Sequence, residues 1–194
     1  MKLAFAPLVL VTGAFALSGP AHSADYVIDM KGNHASINFR IKHLGFSWLA
    51  GRFDRFSGNF SYDKEKPDAS KVKVEIDTAS FNSNYAERDK HIKSPDFIDA
   101  AKFPKAVFES TAVKPNGDGK ATITGNLTLH GVTKEVVIEA EHVGGGDDPW
   151  GGFRDGFSGT TTLTLADFGI DPDQHLGPAA KQVELTFNVE GVKQ

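Results

Sequence analysis

Apolar and polar residues alternate with a period of two along most of this chain. Ser36-Ile37-Asn38-Phe39-Arg40-Ile41 alternates cleanly, and so do Lys71 to Asp77, Thr122 to Leu129 and Gln182 to Glu190. That period belongs to strands with one face toward a core and one toward water. Weaker segments of the same kind are predicted at 25–29, 51–63, 106–113, 134–143 and 157–165. Turn-forming clusters separate them: Lys66-Pro67-Asp68, Pro115 to Gly119, His130-Gly131 and the run from Gly144 to Gly152. One segment departs from the pattern. Asn82 to Ser94 is polar and helix-compatible, with Asn84 placed to cap it, Glu87 three residues on, and Pro95 to stop it.

Eight or nine antiparallel strands with one short helix predict an all-β up-and-down barrel, because closing the sheet removes its exposed edges. At about eight strands the interior either fills with side chains or holds one small ligand. Periodicity does not choose between the two.

The N-terminus stands apart. Met1-Lys2 is a short basic start, Leu3 to Leu17 is apolar or small, and Ala21-His22-Ser23 places small residues at −3 and −1. Residues 1–23 are predicted to be a cleaved secretory signal, with cleavage after Ala24 the close alternative. This leaves 24–194 as a single barrel domain. The chain has no cysteine, so an exported form needs no disulfide, which fits a bacterial periplasm.

Composition removes several functions. A net charge of −4 argues against nucleic-acid binding. Seven histidines show no metal-binding spacing, and Glu87 with His91 on one helix face reads as a charged surface beside Arg88 and Lys90. No nucleophile elbow or phosphate loop occurs, and Asp167-Phe168-Gly169 lacks the other kinase motifs. No catalytic residue, metal or cofactor is therefore expected.

What is unusual is 15 Phe against 3 Tyr and 2 Trp. Phenylalanine supplies bulk without a polar handle. A barrel packed solid would use more Val, Ile and Leu; many rings with little polar company suit a smooth hydrocarbon cavity. Alternation nominates Ile37, Phe39, Ile41, Val72, Val74, Ile76, Ile123, Leu127, Leu129, Leu163, Leu165, Val183, Leu185 and Phe187 as wall residues. Phe53 and Phe157 join the lipid-binding set. Phe46, Trp48, Phe97, Phe103, Trp150 and Phe168, near loops, are candidates for a mouth. His43 and Arg88 are candidates for holding a polar headgroup.

From Asp25 onward the chain resembles the YceI-like family of secreted, polyisoprenoid-binding, lipocalin-like proteins. The likeness rests on Ala24 to Asp29, Phe39 to Ser47, Gly51-Arg52-Phe53, Glu87 to Ser94, Asp96-Phe97 and Phe103-Pro104. It continues through Gly125 to Lys134, Asp148 to Gly152 and Asp167-Phe168-Gly169. The resemblance implies a barrel around a tunnel for a polyprenyl chain or quinone tail, a carrier or storage role, a link to stress responses, and homodimer formation. Transient membrane contact is a further expected interaction. Two other readings stay open: a secreted enzyme acting on an apolar substrate in the same cavity, and a stress or adhesion module with a filled core.

Overall fold

The computed structural model describes residues 23–171 and 177–194. All but the last residue of the expected signal segment lie outside the described residues. Eleven strands form one antiparallel sheet: β1 (Ala24–Ile28), β2 (Ser36–His43), β3 (Ser47–Phe53), β4 (Phe56–Tyr62), β5 (Lys71–Asp77), β6 (Phe81–Asn82), β7 (Lys105–Gly117), β8 (Lys120–Leu129), β9 (Val132–Asp147), β10 (Phe153–Thr164) and β11 (Gln182–Lys193). Among the described residues there is one α-helix, α1, over Ala86–Ile92. Among the described residues no helix is long and apolar enough to cross a membrane.

Eight strands close the barrel in the order β1-β4-β5-β7-β8-β9-β10-β11, and β11 returns to β1 with Tyr26 opposite Lys193. The expected fold class is borne out. β2 follows β1 along the same edge of β11, from Ser36 opposite Asn188 to Ile41 opposite Val183. It then pairs with β3, which carries the two-residue β6, so β2, β3 and β6 form an arm that leaves the barrel wall.

The hairpins obey local turn chemistry. Asp118 and Gly119 join β7 to β8, and His130 and Gly131 join β8 to β9, all four with positive φ. Two such central residues make the turn whose twist matches paired strands.

Three predicted boundaries are corrected. The segment 51–63 is two strands, broken at Asp54-Arg55, where Asp54 N–H donates to Ser80 O and Arg55 N–H to Ser80 Oγ. The glycine run 144–147 is strand, since small residues still complete the ladder opposite Phe153 to Gly156; only 148–152 is turn. The helix starts after Tyr85, not Asn84, whose positive φ of 61° takes it out of the cap geometry. Asp89 instead reaches back to the Ser83 N–H and hydroxyl.

Phenylalanines and strand glycines are matched. A Cβ built on Gly125 would stand 2.5 Å from Phe108 Cζ, and one on Gly191 would stand 2.5 Å from Phe60 Cζ. The ring edges therefore lie down on bare backbone, a use of glycine that any side chain would block. Gly51 receives the ring of Phe39 in the same way. One end of the barrel is packed by Phe97, Phe168 and Ile170, each no more than 3% exposed, with Leu163, Leu127 and Phe108 behind them.

Gly125→Ala should cost about 2 kcal/mol by overpacking. Adding Phe108→Leu should make the double variant more stable than the sum of the two single losses by about 1 kcal/mol. Chemical denaturation of the four proteins checks this; strict additivity would mean ring and glycine are not matched.

Candidate ligand-binding tunnel

Inward-facing residues of the eight strands meet around a void of about 520 Å³ instead of filling it. That size lies in the range of small-molecule sites, roughly 300–1,000 Å³. Of the residues nominated from sequence, Ile37, Val72, Val74, Ile76, Ile123, Leu127, Phe157, Leu163, Leu185 and Phe187 line it, while Leu165 and Val183 are half-buried against the packed end. Phe56, Phe60, Phe108, Val136, Ile138 and Val189 line it as well. These lie on the same alternating faces, or on β9, where exposed Glu135, Val137 and Glu139 alternate with half-buried Val136 and Ile138.

The remaining nominated residues lie elsewhere, each for a physical reason. Phe39 stacks on Phe81 at 4.8 Å and packs with Phe53, because β2, though paired with β11 as far as Ile41, has β3 on its other side, and β3 carries β6 with Phe81. Ile41 is half-buried further along that arm. Leu129, at the end of β8, is half-buried between the two core clusters. Phe97 and Phe168 are not at a mouth; they fill the packed end. Phe103 covers Gly131 and meets the His130 ring at 4.7 Å. Phe46 is 86% exposed at the β2–β3 turn. Trp48 lies beside Arg40 and Lys42, with centroid distances of 4.5 and 5.5 Å. Trp150 is exposed on the β9–β10 turn, near Arg154. His43 ends β2 in solvent, and Arg88 is held by the hydroxyl and carbonyl of Ser83 at 2.7 and 2.6 Å. Neither lines the tunnel.

The end opposite the packed one is polar. Lys64, Ser70, Lys71, Lys120, Glu141 and His142 line it, beside Tyr62. Just inside, Asp155 is buried and accepts from the Tyr26 hydroxyl at 2.6 Å and from His142 Nε2–H at 2.8 Å. Burial, followed by the hydrogen bond to Asp155, holds the Tyr26 phenol well above its usual range, so it remains a donor. The Tyr62 and Phe157 rings flank His142 at 5.3 and 5.0 Å. Sequence reasoning missed this group, because its three members come from β1, β9 and β10 and no motif links them.

A second network staples the barrel seam. Arg154 donates to Asp29 and Glu190 at 2.6 Å each and to Asp148 at 2.9 Å. His34 Nδ1 lies 3.0 Å from Asp29. Asp29, His34 and Glu190 are close enough together to share a metal ion, but the Arg154 guanidinium already supplies a cation between the two carboxylates. Hydrogen bonds from Arg154 and from the Gly32 N–H bring the Asp29 carboxyl down to about 2.

These features together place the chain among known proteins. A model of the YceI-like domain matches residues 26–191. The chain belongs to the YceI-like family. A UPF0312 protein of Pseudomonas aeruginosa is 57% identical over 194 residues, covering all of both chains. Among solved structures, BcnA of Burkholderia cenocepacia has a TM-score of 0.75 at 22% identity, over 84% of this chain and 98% of that one. A polyisoprenoid binding domain from Saccharophagus degradans has a TM-score of 0.66 at 16% identity, over 89% of this chain and all of its own. The YceI-like barrel is the shared element.

The depressed Asp29 carboxyl fixes the direction of a pH effect. Its contribution to stability is complete above the ordinary value of 3.8 and is lost as pH falls toward 2. Arg154→Met should lower Tm at neutral pH, since it leaves Asp29, Asp148 and Glu190 without their shared cation. It should also flatten the fall in Tm between pH 4 and 2 relative to the parent. Thermal melts across that range measure both.

Proposed function

We propose that this protein binds a long isoprenoid lipid, a polyprenyl chain or a quinone tail, inside the barrel. The observation that carries the reading is the void itself: about 520 Å³, walled by Ile, Leu, Val and Phe along its length and polar at one end. The YceI-like family assignment supports it, as does the fold shared with a domain described as polyisoprenoid binding. A continuous cavity stands against a module whose core is filled.

The role is binding rather than turnover. The buried Tyr26 hydroxyl and the half-buried His142 ring both hydrogen-bond to buried Asp155. A role as carrier or store follows from the energetics. Burying hydrocarbon gains about 0.8 kcal/mol per CH₂ against water, but a tail already in a bilayer gains almost nothing on entering the tunnel. Such a balance favours exchange with membranes over permanent capture. Branched methyl groups fit a wall of flat rings better than a saturated chain does. Action in the periplasm, after cleavage of residues 1–23, and a link to stress responses complete the proposal; the basic-then-apolar pattern of residues 1–23 supports export.

Protein purified from cells that make isoprenoid lipids should release a polyprenyl lipid or isoprenoid quinone on extraction with organic solvent, identified by mass spectrometry. Ile123→Trp, which puts a large ring into the void, should cut that yield about tenfold while leaving the fold intact by circular dichroism. Ligand-free protein from repeated preparations would overturn the reading.

A further inference from the structure

The turn at the end of the arm is built against local preference. His43 O accepts from the Phe46 N–H at 2.9 Å, and the two residues between, Leu44 and Gly45, have φ of 51° and 80°. Glycine suits such a seat. Leucine does not, because its Cβ crowds the neighbouring carbonyl. The other described non-glycine residues with positive φ are Asn33, Asn84, Asp99, Asp118 and His130, all of them polar. In the β7–β8 and β8–β9 hairpins, Asp118 and His130 take the place that Leu44 takes here. The tip thus carries an apolar side chain at a conformational cost, and Leu44, Phe46 and Trp48 all remain exposed. A Cβ built on Gly45 would meet nothing within 4 Å.

Charge on this hairpin is of one sign. From Ser36 to Phe53 it carries Arg40, Lys42 and Arg52, with His43, and no acidic residue, in a chain of net charge −4. Arg40 is paired with Glu184 on β11, and Arg52 with Asp54 where the arm ends. Lys42, nearest the turn, forms no ion pair with the described residues. Its ammonium and the Arg40 guanidinium lie over the Trp48 ring, so cation and aromatic ring share one face of the hairpin.

We infer that this tip docks on the surface of a bilayer containing anionic lipids. Leu44 and Phe46 enter the interface, Trp48 sits at headgroup depth, and Lys42 meets lipid phosphate. Exposed apolar side chains with an indole and a cation beside them are what an interfacial anchor requires. Three side chains at one turn are too small a face for a stable second copy, which needs roughly 600 Å² or more on each side. The turn lies beyond the Ile41–Val183 pair, and Val183 packs against the cluster that closes the barrel. Docking therefore engages the packed end, not the polar one, and is independent of what the tunnel holds.

Trp48 and Trp150 are the two tryptophans of the chain, so Trp150→Phe leaves Trp48 as the indole reporter. In the full-length protein with that change, vesicles of equimolar phosphatidylcholine and phosphatidylglycerol, free of isoprenoid, should move Trp48 emission to shorter wavelength. Partition onto pure phosphatidylcholine should be about tenfold weaker, and salt should narrow the difference. Adding Leu44→Asn and Phe46→Ser should cut partition onto the anionic vesicles about tenfold. The same two changes should leave Tm equal or higher, because asparagine accepts the left-handed seat. Residues 1–23 are common to every variant and drop out of the comparison. Trp48 emission indifferent to anionic vesicles, equal partition onto both vesicle types, or equal partition with and without Leu44 and Phe46 would overturn the docking site. A dimer that Leu44→Asn and Phe46→Ser abolish, with Trp48 unmoved by vesicles, would assign the tip to a second copy and overturn it too.

Discussion

An apolar barrel of eight strands tends to collapse onto its own side chains, and this one stays open because rings lie along its wall instead of pointing to its axis. Phe60 over Gly191 and Phe108 over Gly125 each cover bare backbone with the edge of an aromatic ring. The pairing gives dense packing at the wall and emptiness at the centre. It also accounts for a composition rich in Phe, and for glycine inside strands that would otherwise be weakened by it. The void, its width and its apolar lining all follow from this one arrangement.

Polarity is then distributed by position. One end is filled by Phe97, Phe168 and Ile170, carried by the segment after α1 and the short 3-10 turn after β10. The other keeps its polar groups, with Asp155 tying β1, β9 and β10 together from the inside through Tyr26 and His142. Arg154, the next residue along the same strand, ties the seam from the outside through Asp29, Asp148 and Glu190. Successive residues of a strand face opposite sides, so two adjacent positions serve the inner and the outer network at once.

How much of this was legible in the sequence depended on which signal carried it. Alternation over 36–41, 71–77, 122–129 and 182–190 located four strands and the inward positions Ile37, Val74, Ile76, Leu127, Leu185 and Phe187, because a two-residue period is itself the geometry of a strand. The same period could not show that β2 is bordered on its far side by β3 and β6 and not by a barrel strand, so Phe39 and Ile41 read as wall residues though they pack in the arm. Loop aromatics were harder still. Phe97, Phe168 and Trp150 look alike in sequence, yet the first two are buried in the packed end and the third is 76% exposed, since only the topology decides which loops fold inward. The glycine run before Asp148 reads as a loop because glycine is the usual turn former; here it extends β9 alongside β10. The Tyr26–Asp155–His142 group joins residues up to 129 positions apart, a separation at which no local pattern operates.

The ladder between β9 and β10 ends with Thr160 opposite Glu139, although β10 runs on to Thr164 and β9 begins at Val132. Below that rung the two strands splay around a wedge whose lining shares Val136, Thr161, Leu163 and Leu185 with the tunnel. The Thr161 hydroxyl, donating to the Val137 carbonyl at 2.7 Å, is a side-chain tie across the gap. Further up the same seam, parting these two staves of the cask means breaking a row of main-chain bonds. Along this stretch it means breaking far fewer, so sideways breathing costs less where hydrocarbon lies immediately behind.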